Sequence, residues 1–153
     1  MYSAFREKMD SIGKTYEACN FFHYMCDNEK VVKTSYGEMY QRVSGMEEKL
    51  ISIGFRKGDR AALLAPVSPE TILTGFSLAY AGITSVLLDA SLPIEELEKL
   101  IKFSDVRAVF TTEEIYHGLK NAFADKLDFF ELISGEELIS YQTGKSIAAL
   151  KAA

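Results

Sequence analysis

Asp89 ends the aliphatic run Val86-Leu87-Leu88 and is followed by Ala90-Ser91-Leu92-Pro93, while Thr111 and Thr112 end a second apolar run. The stretch from Val86 to Pro93 resembles a phosphoacceptor strand, and that resemblance alone implies roles for these side chains. Asp89 would take the phosphoryl group, and Thr111 or Thr112 would sense it. That chemistry also needs an acidic pair to hold magnesium and a lysine to meet the phosphoryl oxygens. Leu63-Leu64-Ala65-Pro66 and Phe129-Phe130-Glu131 stand where those groups are required, so this site is rejected. Lys57 and Arg60, a basic pair around Gly58, read as solvated surface rather than a phosphate clamp. Gly144-Lys145-Ser146 lacks the upstream glycines and the preceding strand that make backbone amides converge on a phosphate. His23 and His117 are isolated from any Cys or carboxylate at metal-ligand spacing. No Gly-x-Gly-x-x-Gly opens a helix after a strand, which excludes a dinucleotide fingerprint.

With 153 residues and a net charge of -5, the chain is one domain in size and carries no basic stripe for nucleic acid. The two cysteines, Cys19 and Cys26, match neither a redox pair nor a zinc knuckle. They are read as two reduced, buried thiols of a cytoplasmic protein. Arg6, Glu7, Lys8 and Asp10 break up the N-terminal apolar residues, unlike a signal peptide, and no apolar run is long enough to span a membrane.

The elements that must position these residues are legible in the patterning. From Arg60 onward, short apolar runs alternate with segments of helical period, which indicates an α/β layered domain with a mainly parallel sheet flanked by helices. Residues 61–65, 85–88, 106–110 and 129–133 are nearly continuously apolar, so each is expected to be a central strand. Ser68-Pro69-Glu70 opens a helix carrying Ile72, Leu73, Phe76 and Ala79, and Gly82 suits its left-handed stop. A second helix begins near Pro93 and buries Ile94, Leu97, Leu100 and Ile101, and a third follows Thr112-Glu113-Glu114. Ser134 and Glu137 have capping-box spacing for a short fourth helix. Before Arg60, residues 18–25 and 31–34 flank Asp27-Asn28-Glu29-Lys30 as an N-terminal β-hairpin beside the main sheet. Ser35 and Glu38 form another capping box, ahead of a helix with Tyr36, Met39, Tyr40, Val43, Met46, Leu50 and Ile53 on one face and Gly54 at its end.

Two stretches carry a family resemblance. Thr34-Ser35-Tyr36-Gly37-Glu38-Met39 and Leu78-Ala79-Tyr80-Ala81-Gly82-Ile83, running into Val86-Leu87-Leu88-Asp89, resemble the first two signatures of the AMP-forming acyl-CoA synthetase and amino-acid adenylation superfamily. The turn from Gly54 to Arg60 is similar to the family's entry into its first parallel strand, and Pro66-Val67-Ser68 resembles its Pro-Asn-Ser turn with Val67 in the Asn place. Leu88 stands where the family usually has proline before the strand-terminal acid.

The resemblance implies that residues 1–143 are the N-terminal subdomain of a longer ligase and that 144–153 are a tail or linker. It implies ATP, magnesium and coenzyme A, or a carrier pantetheine, for the parent. It also implies that a small carboxylic acid, fatty in type, is activated to an acyl-adenylate and passed to a thiol. The family's phosphate loop, its aromatic-Gly-x-Thr-Glu motif, its ribose-binding Asp and its catalytic Lys align with nothing here. The chain is therefore expected to be inactive scaffold that holds no catalytic, cofactor-binding or metal-binding residue. Strand ends at 66–68, 89–91 and 111–112 would supply one wall of the acyl site. Its expected partners are the remainder of the parent chain and, through exposed apolar surface, itself. The alternative is a free-standing α/β interaction or regulatory module, similar to a response-regulator receiver and without ligase activity.

Overall fold

A computed structural model describes residues 2–25, 29–123, 129–134 and 137–142, with side chains over 3–25 and 29–119. Local signals set most of the elements. Helix α2, Tyr36–Ser52, starts where Ser35 and Glu38 bond reciprocally, the Ser35 amide donating to Glu38 Oε2 at 2.8 Å and the Glu38 amide to Ser35 Oγ at 3.1 Å. It ends at Gly54, whose φ of 100° few other residues adopt. Helix α3, Pro69–Tyr80, has Ser68 as its cap, accepting from the Thr71 amide at 3.1 Å, with proline in its first turn and Gly82 at φ 75° after its end.

These helices alternate with the strands of one sheet. Strands β3, Arg60–Leu64, β4, Thr84–Leu87, β5, Ala108–Thr111, and β6, Phe129–Ser134, run parallel, and β7, Glu137–Gln142, pairs antiparallel to β6. The spatial order is β4-β3-β5-β6-β7. Helix α4, Ile94–Ser104, and helix α5, Glu113–Phe123, complete the crossovers. One face of the sheet packs Leu63 and Phe110 against Leu50 and Leu78 from α2 and α3. The other packs Ala62, Leu64 and Val109 against Leu97, Ile101 and Leu119 from α4 and α5. Outside α2 and α3 lie helix α1, Tyr2–Thr15, and the hairpin of β1, Asn20–Met25, with β2, Val31–Ser35. Met9, Met39, Val43, Leu73 and Tyr80 form a second core there. Phe21 of β1 sets its ring edge to face against Tyr36 and Phe76, at centroid distances of 5.2 and 5.7 Å.

The α/β class, the parallel sheet and the separate hairpin agree with the sequence. Four details do not. Strand β4 is the edge of the sheet among the described residues rather than central, and Leu87 is 75% exposed. Ser134 and Glu137 do not cap a helix. They are register partners in the β6–β7 hairpin, because a separation of three residues suits a tight hairpin as well as a capping box. In α4 only Leu97 and Ile101 are buried, and Ile94 and Leu100 face outward. Cys19 is exposed rather than buried, and Cys26 lies outside the described residues. The sequence reading also passed over α1. Its signal was the helical spacing of Phe5, Met9 and Ile12, with Met9 buried and the other two half-buried.

Candidate functional site

In an open α/β sheet, ligands sit beyond the carboxyl ends of the strands. At that edge of this sheet Asp89, Ser91, Ser68 and Thr71 bond within their own turns. Asp89 Oδ1 accepts from the Ser91 amide at 2.8 Å and from Ser91 Oγ at 2.7 Å, and these bonds hold the carboxyl below its usual range. Ser68 Oγ caps α3, and Thr71 Oγ1 donates to the Pro66 carbonyl at 2.8 Å. Thr111 is fully buried and its hydroxyl has no partner among the described residues. Asp89 and Thr111, the pair a phosphoacceptor site would need, are thus not hydrogen-bonded to each other.

The basic candidates lie elsewhere. Arg60 opens β3 at its amino end and donates to the Ser104 carbonyl at 3.1 Å, and exposed Lys57 precedes it. His117 lies on the exposed side of α5 with Nε2 3.7 Å from Glu113 Oε1, and His23 is exposed on β1. Among the described residues no group of three or more His, Cys, Asp or Glu could hold a metal ion. The Gly144-Lys145-Ser146 stretch lies outside the described residues. No chemical step is assigned to the described residues.

What the fold does build is an apolar cavity of about 570 Å³ on the α3 side of the sheet. Leu63 and Ala65 at β3 and Ser85 and Leu87 of β4 form its floor, and Ile72 and Phe76 of α3 form a wall. Phe5 of α1 stands at its rim with its ring stacked on Phe76, 6.4 Å between centroids and 5° between planes. Ser85 Oγ is buried there without a hydrogen-bond partner among the described residues. Of the strand-end residues expected to face a crevice, Val67 lines this cavity. The site can hold apolar groups, and the polar side chains of its lining are the hydroxyls of Thr71 and Ser85. Of Ile72, Leu73, Phe76 and Ala79, which repeat at helical spacing in the sequence, Ile72, Phe76 and Ala79 line this cavity.

Known proteins share this sequence and this fold. The chain is 32% identical over 112 residues to 2-succinylbenzoate–CoA ligase of Oceanobacillus iheyensis, an alignment covering 73% of this chain and 23% of that protein. It is also 32% identical over 93 residues to acetyl-coenzyme A synthetase of Phycomyces blakesleeanus, covering 61% of this chain and 14% of that protein. The chain thus spans less than a quarter of the length of these relatives. In structure it is similar to o-succinylbenzoate coenzyme A synthetase from Bacillus subtilis, solved with ATP and magnesium, at a TM-score of 0.71 and 16% identity over 88% of this chain and 36% of that one. A chain from a study of fatty acyl-adenylate ligases of E. coli and L. pneumophila gives a TM-score of 0.69 and 20% identity over 85% of this chain and 24% of that one. Residues 15–146 match the family model described as AMP-binding enzyme, and the chain belongs to that family.

Proposed function

We propose that this chain is the N-terminal scaffold of an AMP-forming acid–thiol ligase. Residues 1–143 form the subdomain and 144–153 lead on to the remainder of the parent. The supporting observation is the family match over 15–146 in a chain that spans only 14–23% of its ligase relatives. In the parent, a carboxylate attacks the α-phosphate of ATP, releasing pyrophosphate and forming an acyl-adenylate. The thiol of coenzyme A or of a carrier pantetheine then takes the acyl group and releases AMP. Magnesium offsets the phosphate charge in the first step. The acid we favour is a fatty acid, in keeping with the 31% identity over 94 residues to a mitochondrial medium-chain acyl-CoA ligase of Pongo abelii. We place the parent in the cytoplasm, where reduced Cys19 fits, and no described helix is long and apolar enough to cross a membrane.

The chain alone supplies shape rather than chemistry. Val67, Leu87 and Phe103, 81%, 75% and 89% exposed, are the surface against which other elements would pack or on which the isolated chain would self-associate. ATP–pyrophosphate exchange with a panel of carboxylic acids tests this reading. The pure 153-residue chain is expected to give none, and measurable exchange by it would overturn the scaffold role.

A further inference from the structure

We infer that the edge of β4 left unpaired among the described residues and the apolar groove beside it receive an aliphatic β-strand and its packed helix from the part of the parent ligase outside these 153 residues. This rests on the ligase-scaffold reading above and names the surface where the parent joins. Val86-Leu87-Leu88 is the sequence of a strand covered on both faces and paired on both sides. Among the described residues it is paired on one side, by β3, and packed on one face, where Val86 and Leu88 meet the core under α4 and α5. All four residues of β5 are buried, and Ala61–Leu64 of β3 are 0–6% exposed, whereas in β4 Thr84 and Leu87 lie open.

The backbone defines the vacant side. The Thr84 amide donates to the Asp59 carbonyl at 2.8 Å and the Leu88 amide to the Leu63 carbonyl at 3.1 Å, both toward β3. Alternation along the strand then turns the Ser85 and Leu87 amides away from β3, where no described strand pairs. Natural edge strands are guarded by charges, prolines or bulges. Thr84-Ser85-Val86-Leu87 has no charge and no proline, and its register with β3 is continuous.

The groove continues that edge. Val67, Ile72 and Leu87 are exposed around the 570 Å³ cavity, and the buried Ser85 hydroxyl beside them lacks a partner among the described residues. Helices normally cover both faces of a parallel sheet, and on this face the cavity opens between α3 and β4. The ligase relatives are more than four times the length of the matched segment, which provides ample chain to fill the space.

Backbone amide exchange at Ser85 and Leu87, read by NMR in the 153-residue chain and in the longest polypeptide its coding DNA specifies, tests the assignment. Both amides are expected to exchange freely in the short chain and to slow by about 100-fold or more in the longer one. Leu87→Pro removes an amide that bonds to nothing described. It should leave the melting of the short chain nearly unchanged yet abolish the protection at Ser85 in the longer polypeptide, whereas Leu87→Val should preserve it. A longer ligase whose Ser85 and Leu87 amides stay unprotected overturns the docking assignment alone. Protection in the short chain that grows with its concentration also overturns it and makes a second copy the occupant. A coding sequence that ends at Ala153, or continues without ligase motifs, overturns the proposed function and this assignment with it.

Discussion

The Tyr80 hydroxyl donates to Asp10 Oδ1 at 2.5 Å, joining residues 70 positions apart and fastening α1 to the end of α3. Arg6 lies over the same ring, 4.5 Å from its centroid, and forms a two-pronged ion pair with Glu47 of α2. One arginine and one tyrosine thus hold the outer helix to both helices beneath it.

Tyr80→Phe removes the donor and leaves Asp10 Oδ1 without this bond at a half-buried site. It should lower stability by about 2 kcal/mol at pH 7, as for hydrogen bonds to a charged acceptor. Burial of the ring, reinforced by the bond to Asp10, pushes the Tyr80 phenol above its ordinary value. A raised folded-state value means this stabilisation is complete below about pH 10, the unfolded phenol range, and is lost as pH rises toward the folded one. Urea unfolding at pH 7 and pH 11 should show the gap between wild type and Tyr80→Phe shrinking. A gap that does not change with pH would place Tyr80 outside this linkage.

Asp59 answers in the opposite direction. Burial pulls its carboxyl upward, but the Arg56 amide at 2.8 Å and the Arg107 guanidinium at 2.6 Å outweigh that and hold it below its ordinary range. Arg107 also reaches the Gly54 carbonyl at 3.0 Å and lies over the Phe55 ring, so the pair staples the turn after α2 to the strand that follows α4. Because both side chains are partly exposed, Asp59→Asn should cost only about 1 kcal/mol at pH 7. A lowered folded-state value makes that difference full above about pH 4 and lost as pH falls below it. Thermal melts at pH 7 and pH 3 should therefore diverge and converge respectively.

The same substitution at two glycines should have opposite signs. A Cβ on Gly13 of α1 would lie 2.5 Å from Tyr40 Cγ, whereas a Cβ on Gly45 of α2 would meet nothing within 4 Å. Gly13→Ala should cost about 1–3 kcal/mol by overpacking, beyond what helix propensity returns. Gly45→Ala should gain up to about 1 kcal/mol. Chemical denaturation of both variants, with proteolysis to follow release of α1, checks the pair. Stabilisation by Gly13→Ala would show that α1 is not seated against Tyr40.

Two serines make a similar contrast. Ser35 Oγ accepts from the Glu38 amide at the start of α2, so Ser35→Ala should cost about 1 kcal/mol. Ser85 Oγ is buried without a partner among the described residues, so Ser85→Ala should be neutral or stabilising in the 153-residue chain. A loss at Ser85 as large as that at Ser35 would show that its hydroxyl is bonded in solution.

The amino-acid sequence determined whatever is decided within a few residues. The Ser35–Glu38 box, the Ser68-Pro69 helix start and the glycine stops at 54 and 82 are interactions of near neighbours, and the structure keeps each of them. The alternation of apolar runs with helical periods likewise specified an α/β sheet, because strand and helix bury their side chains with different periods. Tertiary structure alone decided which apolar runs have a neighbour. Val86-Leu87-Leu88 reads as interior, yet its burial depends on a strand that local sequence does not name, and β4 is left at the edge. Ser134 and Glu137 stand three apart, a spacing that satisfies a helix cap or a hairpin, and pairing of β6 with β5 on its other side selects the strand. The apolar cavity has the same origin, since the face of α3 bearing Ile72 and Phe76 is apolar by sequence but is open or covered only according to what the rest of the fold sets against it.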